Sequence, residues 1–523
     1  MHEIDAAYEI ERLIEYAKQT HLIETDSKQH MLLNAIFLRN NLMALLNVDT
    51  PYQGNLPQET TDLHEILDHL MIYAVNTGMI EDTTTDKDLL DTKIMGLLTP
   101  CPSAVTHKFY SLKESSGSQA ATDYFYQLNQ DVNYIRMNRI KKNRHWTVQT
   151  QYGEIEMTIN LSKPEKDPLE LKKALNIPST GYPKCVLCIE NMGYQGDAKK
   201  PARQNHRLIP LELCQENWYF QYSPYVYYNE HCILIYENHK PMHICKRTFS
   251  RLFQFLDEFP LYFIGSNTDL PIVGGSILEH EHYQGGRYRM PMVDAKIESA
   301  FETGISNVKA GILHWPLSCI RLSSNDKEKL IDLSHQILTQ WRQYTDESVD
   351  IFHETLEGSK TVPHNTVTPI SRINKEGEYE IDIVLRNNRT TDEYPRGLFH
   401  PHPELHHIKK ENIGLIEVMG LAILPGRLES EIEAIADYLT GVKDIAGIGE
   451  LDEDHSLFKH RQWIQQMHQM GICGTHEQVM SAIRMEIGKR FTRVLEDAGV
   501  YKNNPQGQEA FQRFMNVCGF KLV

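Results

Sequence analysis

The chain has 523 residues, 41% of them hydrophobic and 24% charged, as in soluble globular proteins. A single hydrophobic core stops growing at about 250 to 300 residues, so two or three packed units are expected. The formal net charge of -17 argues against nucleic acid as the main partner, and any pocket for an anionic ligand has to be locally basic.

The N-terminal stretch "MHEIDAAYEIERLIEYAKQ" is acidic and amphipathic, unlike a targeting segment, which begins basic and continues apolar. No run of apolar residues reaches the roughly 18 that a membrane span needs. Most of the nine cysteines are scattered without a pairing pattern, which a reducing compartment tolerates. We therefore expect a cytoplasmic protein that has no membrane partner and no disulfide framework.

Helical periodicity dominates the first ~95 residues and predicts a helical opening module. "QHMLLNAIFLRNNLMALLNV" and "LHEILDHLMIYAVNTG" both show it, and the second ends in a glycine suited to a helix C-cap. "EDTTTDKDLLDTKIMGLLTPCPSAV", which is polar and marked by prolines, is expected to lead out of the module. In the first helix the core-facing positions are Ala6, Ile10, Leu13, Ile14 and Ala17.

From about residue 225 onwards, strand and helix patterns alternate. The first series is "HCILIY" (strand), "KRTFSRLFQFLDEF" (helix), "LYFIGSN" and "ILEHEHYQ" (strands). The second series is "ILHWPLSCIRL" (strand), "KEKLIDLSHQILTQWRQY" (helix), "HNTVTPISRI" and "EYEIDIVLRNN" (strands). The repeated order predicts two α+β halves. In the last strand, alternation places on one face Tyr379, Ile381, Ile383 and Leu385.

After Pro425 the pattern returns to helix, and we assign the α+β fold class with three parts. Residues 1–125 are expected to form the helical module, residues 126–300 the first half, and residues 301–523 the second half with the C-terminal helices. The core-facing positions of those last helices are Ile432, Ile435, Ala436, Leu439, Val479, Ile483, Ile487 and Val494.

The stretch "GGSILEHEHYQGGRYRMPM" carries His280, His282 and Gln284 at every second position between two glycine pairs. In a strand, positions i, i+2 and i+4 share one face, so two imidazoles and an amide would project together. The glycines lack a β-carbon, which lets a ligand or another backbone approach closely. The pattern predicts an anion pocket, and the alternative is a polar strand face whose histidines serve solubility.

"YPKCVLCIEN" places Cys185 and Cys188 at the spacing of a metal knuckle or a redox pair. A redox pair is expected in a thioredoxin-like βαβ context, which this region does not show. A zinc site needs two more ligands, and His239 and His280 are candidates. The alternative is that both cysteines are buried as small apolar residues.

"HPHPELHHI" forms a second histidine cluster. Histidines at this density are typical either of a metal site or of an exposed loop, and both interpretations are open. The residues concerned are His400, His402, His406 and His407.

Several strings are long enough to be specific: "DTKIMGLLTPCPS", "YPKCVLCIENMGYQGD", "HEHYQGGRYRMPM", "PHNTVTPISR", "LRNNRTT" and "IEVMGLAILPGR". The third resembles the His-x-His-x-Gln motif of the histidine-triad superfamily, and together they resemble the long bacterial type of the galactose-1-phosphate uridylyltransferases. The resemblance covers most of the chain after the helical opening. It implies two histidine-triad-like halves with antiparallel sheets and the exchange of a uridylyl group between UDP-glucose and galactose 1-phosphate.

The resemblance also implies that His282 is the nucleophile and forms a uridylyl-histidine intermediate, which gives ping-pong kinetics. Imidazole suits this role because it is unprotonated near neutral pH and leaves readily afterwards. Gln284 can donate its amide hydrogens to a phosphate oxygen without adding charge. Arg287 and Arg289 follow on a glycine-led turn, where they either clamp phosphate or are ordinary surface arginines.

By analogy with the short type of the family, the resemblance implies a structural zinc held by Cys185, Cys188, His239 and His280. No organic cofactor is expected. The partners implied are the small molecules UDP-glucose and galactose 1-phosphate, and a homodimer is a further expectation. The remaining candidate substrate contacts are Arg136 and Arg139 for the nucleotide and Asn388 and Arg389 for the hexose phosphate.

Two alternatives differ from this function in class. A nucleotidyltransferase or phosphorylase of the same superfamily would keep His282 and Gln284 and differ in its base pocket. A zinc-binding structural protein would hold the metal without turnover, and a covalent nucleotide on the protein would exclude it.

Overall fold

The computed structural model describes residues 4–23, 27–56, 62–162, 181–275 and 277–523. Its N-terminal region is helical up to residue 140, beyond the ~95 residues that periodicity indicates. All five core-facing positions predicted for the first helix are buried, which confirms that prediction. The helices are α1 (Ala6–Gln19), α2 (Lys28–Leu46), α3 (Leu63–Asn76), α4 (Thr84–Leu98), α5 (Pro102–Ser116), α6 (Ser118–Asp131) and α7 (Met137–Ile140).

The polar stretch that was expected to lead out of the helical module is itself helical, so that expectation is wrong. Thr83 caps α4 by accepting a hydrogen bond from the backbone N–H of Asp86. Pro102 occupies the first turn of α5, where the missing N–H costs nothing. Threonine and proline therefore begin helices in this stretch.

Eleven strands form one continuous sheet at the centre of the described chain. The strands are β3 (Ile209–Leu213), β4 (Glu216–Tyr222), β5 (Cys232–Tyr236), β6 (Phe263–Gly265), β7 (His282–Gly286), β8 (Ile297–Glu302), β9 (Lys309–Leu313), β10 (Cys319–Ser324), β13 (Asn365–Ile373), β14 (Tyr379–Asn387) and β16 (Lys521–Leu522). Their order from one edge to the other is β16, β8, β9, β10, β14, β13, β6, β7, β5, β4, β3, and every neighbouring pair is antiparallel.

The sheet contains the same five-stranded unit twice, which confirms the repeated order seen in the sequence. The first repeat, residues 209–286, has the strand order β3, β4, β5, β7, β6, with helix α8 (Lys246–Glu258) after β5. The second repeat, residues 297–387, has the order β8, β9, β10, β14, β13, with helix α9 (Lys327–Trp341) after β10. The repeats join through β6 and β13, where Ile264 faces Ser371.

The strand order shows which strands are equivalent between the repeats: β5, β7 and β6 in the first match β10, β14 and β13 in the second. In the first repeat Gln284 pairs with Ile233 and Gly265. In the second repeat Glu380 pairs with Ser323 and Arg372.

Two predicted strands are interrupted. "ILHWPLSCIRL" forms β9 and β10, and Pro316 lies in the segment that separates them, since proline cannot donate to a ladder. "ILEHEHYQ" joins the sheet only at His282. Before that residue, the backbone N–H of Glu281 donates to the carbonyl of Lys240 and that of Met242 to Leu278, so this segment pairs with the chain that follows β5.

A smaller sheet and the C-terminal helices enclose a second core. The small sheet has β1 (Arg144–Thr150) antiparallel to β2 (Gly153–Ile159), and β2 parallel to β15 (Leu421–Leu424). All the core positions predicted for the C-terminal helices are buried in this core. The remaining elements are the hairpin β11 (Glu354–Glu357) and β12 (Lys360–Pro363), and helices α10 (Leu415–Val418), α11 (Leu428–Leu439), α12 (Arg461–Gln469), α13 (His476–Ala498) and α14 (Pro505–Val517).

These elements confirm the α+β class with antiparallel strands, a helical N-terminal region and C-terminal helices. Strands β1 and β2 precede the first repeat in the sequence, and β2 pairs with β15 from the C-terminal region. Among the described residues, no helix combines the length and the apolar character that a membrane span requires.

Candidate active site

His282 begins β7 in the middle of the sheet, between β5 and β6. Tyr283, the next residue, faces α8, where its hydroxyl lies 2.9 Å from a guanidinium nitrogen of Arg251. Because alternate residues of a strand point to opposite faces, His282 and Gln284 project from the face that does not carry α8. His282 is 5% exposed and Gln284 is partly exposed, so both sit at a sheltered surface.

A backbone contact determines which nitrogen of His282 is available for chemistry. Its Nδ1 lies 2.8 Å from the carbonyl oxygen of His280, which can only accept a hydrogen bond. Nδ1 therefore carries the proton, and Nε2 keeps its lone pair. Burial lowers the pKa of His282 and outweighs the raising effect of that backbone hydrogen bond. The imidazole is thus held neutral, with Nε2 free to act as a nucleophile.

Gln284 is held by His231, a residue that the sequence analysis did not select. His231 Nε2 lies 3.2 Å from Gln284 Oε1. The His231 ring packs between Tyr227 and Tyr228, with centroid distances of 5.4 and 4.7 Å. No sequence signal marks this contact, because the partners are 53 residues apart and His231 has an ordinary strand-edge context.

The glycine pairs around the motif are required by packing against the protein itself. A β-carbon at Gly274 would lie 2.2 Å from Thr268, and one at Gly275 would lie 2.8 Å from Asn267. One at Gly285 would lie 2.4 Å from the carbonyl of Phe263. Of the two outcomes expected from the sequence, a ligand or another part of the protein close to the glycines, the structure shows the second, since neighbouring protein atoms fill the space that a side chain would take.

The four predicted metal ligands lie together. The Sγ atoms of Cys185 and Cys188 are 3.5 Å apart, and Nδ1 of His280 is 3.3 Å from Cys185 Sγ and 3.7 Å from Cys188 Sγ. Nδ1 of His239 is 3.2 Å from Cys188 Sγ, and all four ligand atoms lie within 4.8 Å of one another. Tetrahedral zinc with bonds of about 2.0 to 2.3 Å requires edges of roughly 3.3 to 3.8 Å, which these distances approach.

Contacts beyond the four donors also fit a metal. His280 Nε2 lies 2.8 Å from the carbonyl of Tyr236, so Nε2 carries the proton and Nδ1 presents its lone pair to the cysteines. Burial, together with the neighbouring Cys188, raises the pKa of the Cys185 thiol to about 12. Two thiolates at this site therefore need a cation to stabilise them, which a divalent ion supplies.

Arg136 and Arg139 line a pocket of about 250 Å³ between the N-terminal helices and the first repeat. Arg136 pairs with Asp91 and Arg139 with Asp88. The lining carries five cationic and two acidic side chains, so the pocket is basic in an acidic protein. Its full cationic set is Arg136, Arg139, Lys199, Lys200 and Arg203.

Aromatic contacts connect this basic pocket with Gln284. Tyr225 lines the pocket and stacks on Tyr227 with a centroid distance of 6.2 Å. Tyr227 in turn contacts His231, which hydrogen-bonds Gln284. Contacts through Tyr225, Tyr227 and His231 therefore connect the pocket to the strand that carries His282.

Arg287 and Arg289 line a different cavity, of about 530 Å³, at the far end of β7 and over the second repeat. Arg287 pairs with buried Glu230 and with Asp123, and Arg289 pairs with Asp294. Both arginines thus already have carboxylate partners, and their role as phosphate clamps stays a prediction.

Asn388 and Arg389 lie just beyond β14, apart from both cavities. Asn388 Oδ1 is 2.8 Å from Nδ1 of His364, and Arg389 donates to the carbonyl of Asp350 at 3.1 Å. The Arg389 guanidinium also lies over the ring of Phe352, 4.5 Å from its centroid. Their role as hexose-phosphate contacts stays a prediction.

The four histidines of "HPHPELHHI" do not form one site. His402 lies with Glu404 and Asp497, their ligand atoms within 4.8 Å of one another. His407 is instead buried and 2.8 Å from His460, Nδ1 to Nδ1. The exposed-loop interpretation is therefore wrong for His407, which packs in the second core.

The second repeat carries ion pairs where the first repeat carries the candidate site. Arg321 makes a bidentate pair with Asp382, with distances of 2.7 and 2.9 Å. Arg372 contacts Asp382 at 2.8 Å and also pairs with Glu380. These four side chains stand on β10, β14 and β13, the strands equivalent to β5, β7 and β6 of the first repeat.

Comparison with known proteins identifies the family to which the chain belongs. The model of the galactose-1-phosphate uridyl transferase N-terminal domain matches residues 23–241, and that of the C-terminal domain matches residues 255–460. Proteins named galactose-1-phosphate uridylyltransferase from Caldanaerobacter subterraneus subsp. tengcongensis, Fusobacterium nucleatum and Bacillus subtilis are 55%, 48% and 46% identical to the chain. The alignments cover 100%, 98% and 98% of this chain, and the same shares of the relatives. The resemblance seen in the sequence is confirmed, and the chain belongs to the galactose-1-phosphate uridylyltransferase family.

Proposed function

We propose that the protein transfers UMP from UDP-glucose to galactose 1-phosphate, with His282 as the nucleophile and Gln284 as the donor to the reacting phosphoryl group. The observation that carries the proposal is the hydrogen bond from His282 Nδ1 to the carbonyl of His280, at 2.8 Å. It leaves Nε2 with a lone pair and no proton to lose, so attack needs no general base.

The first half-reaction follows from that geometry. Nε2 of His282 attacks the α-phosphorus of UDP-glucose, the bond between this phosphorus and the bridging oxygen breaks, and glucose 1-phosphate leaves. The ring then carries positive charge, which the carbonyl of His280 stabilises through the Nδ1 proton. In the second half-reaction a phosphate oxygen of galactose 1-phosphate attacks the same phosphorus. UDP-galactose leaves and the neutral imidazole returns.

Gln284 supports both displacements. Its Oε1 faces His231, so its amide hydrogens are available to a phosphoryl oxygen on the face that carries His282. Preorganised donors of this kind act where charge develops in the transition state. The basic pocket lined by Arg136 and Arg139 supplies the positive potential that a nucleotide diphosphate needs.

The decisive experiment is incubation with UDP-glucose labelled in the uridine, followed by isolation under alkaline conditions that spare a phosphoramidate. We expect about one equivalent of label on the protein, release of glucose 1-phosphate, and loss of the label when galactose 1-phosphate is added. Donors with other bases measure how specific the nucleotide pocket is. Protein that turns over without ever carrying label would contradict the covalent mechanism.

We also propose that Cys185, Cys188, His239 and His280 hold a structural zinc. His280 lies two residues before His282, so a metal there fixes the chain where it enters β7. Purified protein is expected to carry about one equivalent of zinc, and Cys185→Ser to lose it and melt at a lower temperature, because a structural zinc contributes directly to folding. Elemental analysis and thermal melting measure both effects.

Cys473→Ser is the matched control, since Cys473 is exposed and lies outside the four-residue cluster. It should keep both zinc and melting temperature. Metal-free wild-type protein that melts at the same temperature as Cys185→Ser would favour the alternative of two buried apolar cysteines.

A further inference from the structure

His231 immediately precedes β5, which pairs with one edge of β7 while β6 pairs with the other. The residue is 2% exposed. Its ring is enclosed by Tyr227 and Tyr228, and its one side-chain hydrogen bond to another described residue joins Nε2 to Oε1 of Gln284. Burying an imidazole N–H costs free energy unless the group donates a hydrogen bond. The side chain of Gln284 accepts that hydrogen bond.

The chemistry of the two groups fixes the direction of this hydrogen bond. An amide oxygen can only accept, so the proton of His231 is on Nε2. The other ring nitrogen, Nδ1, is buried and has no hydrogen-bond partner, which agrees with an unprotonated nitrogen there. Burial lowers the pKa of His231 to about 4, more than the bond to Gln284 raises it, so the ring is neutral and carries one N–H.

That single N–H selects one of the two orientations of the Gln284 amide. Glutamine presents an acceptor at one end and two donors at the other, and rotation by half a turn exchanges them. With Oε1 held by His231, the NH2 group turns away from His231. Without the donor, the oxygen is free to rotate toward the reacting phosphate, where it would repel the phosphoryl oxygens.

We propose that His231 is a positioning residue, which holds Oε1 of Gln284 so that the amide NH2 faces the phosphoryl group in transfer to and from His282. The inference rests on the proposed role of Gln284. In the second repeat Arg321 likewise uses a side-chain donor to hold a residue of the neighbouring strand, Asp382.

His231→Gln and His231→Met form a matched pair for the test. Both side chains have the length of histidine, and only glutamine can donate a hydrogen bond from the position of Nε2. We expect His231→Met to lower the rate of single-turnover labelling of His282 by ten- to a hundredfold with KM for UDP-glucose changed less than threefold. His231→Gln should stay within about threefold of the wild-type rate. Melting temperatures of the two variants check that both are folded.

The double variant His231→Met with Gln284→Ala tests whether the effect passes through Gln284. It should be no slower than Gln284→Ala alone, because the group that His231 positions is already absent. Additive losses, or equal rates for the Gln and Met variants, would overturn the positioning role. A Gln284→Ala protein with the wild-type rate would instead contradict the proposed role of Gln284, so the two failures are distinguishable.

Discussion

The two repeats share strand order, helix placement and register, yet the surfaces over them differ. On the face that carries His282, the first repeat presents neutral groups, Gln284 and His231, and the small residue Gly265. On the same face, the second repeat carries the charged residues Arg321, Arg372, Glu380 and Asp382. A single architecture thus holds a candidate site in one copy and a closed ionic cluster in the other, which illustrates that chemistry resides in side chains and not in the fold.

The ladder also gives the distance between these two surfaces. Gln284, Gly265, Ile370 and Asp382 stand directly opposite one another on four neighbouring strands, and so point to the same face. At about 4.8 Å per strand, Gln284 and Asp382 are roughly 14 Å apart. The ionic cluster therefore lies beside the candidate site, close enough to stabilise the sheet that carries it. Its carboxylates are too far away to touch a phosphate on His282.

The largest effect is expected for His282→Ala, because the variant lacks the proposed nucleophile. The variant should show no covalent nucleotide and no exchange of label between glucose 1-phosphate and UDP-glucose, with a nearly unchanged melting temperature. Retention of even a tenth of the rate, a barrier increase of about 1.4 kcal/mol, would contradict the assignment of His282 as the nucleophile.

In the second repeat, Asp382→Asn should lower stability and leave chemistry intact. Asp382 is fully buried between Arg321 and Arg372, and removing one partner of a buried pair costs about 3 to 5 kcal/mol. Denaturant unfolding measures the loss, and kcat per folded molecule is expected to stay within about threefold of wild type. A large fall in kcat at full folding would show that the cluster takes part in the reaction.

The same variant makes a pH prediction. Burial alone raises the pKa of Asp382, but Arg321 and Arg372 outweigh it and hold the value below the ordinary 3.8. A carboxyl with a lowered folded-state pKa stabilises the protein above the unfolded value, and the contribution disappears as pH falls through the folded value. The stability difference between wild type and Asp382→Asn should therefore be full at neutral pH and shrink below about pH 4.

Gln284→Ala should slow both half-reactions by about 10² to 10³, or about 2.7 to 4 kcal/mol, by analogy with the loss of one oxyanion donor. The nucleophile remains, so the variant should still accumulate the uridylyl intermediate at long times and keep ping-pong kinetics. Rapid-quench labelling measures each half-reaction. Unchanged rates would mean that the amide has only a structural role.

The sequence was informative where chemistry is local and uninformative where partners are distant. Cys185 with Cys188, and His280 with His282, are visible because each pair lies within a few residues and has a recognisable spacing. His231 was missed because its partner is 53 residues away and joins it only through strand pairing. The starts of helices α4 and α5 were missed because Thr83 and Pro102 serve equally well in loops and at helix starts.

The smallest effects are expected for arginine variants in the two cavities, and their comparison tests which cavity binds the nucleotide. Arg139 is partly exposed and paired with Asp88, so Arg139→Gln removes a charge from the basic pocket without leaving a deeply buried ion. We expect KM for UDP-glucose to rise about tenfold, or about 1.4 kcal/mol, with little change in kcat. Arg289→Gln is the comparison in the cavity over the second repeat, where the arginine is more exposed and bound to Asp294. It should change the same KM less than threefold, because an exposed ion pair is weak and this cavity adjoins the ionic cluster. If instead Arg289→Gln raises this KM more than Arg139→Gln does, the nucleotide binds in the cavity over the second repeat. The assignment of nucleotide binding to the pocket of Arg139 would then be wrong.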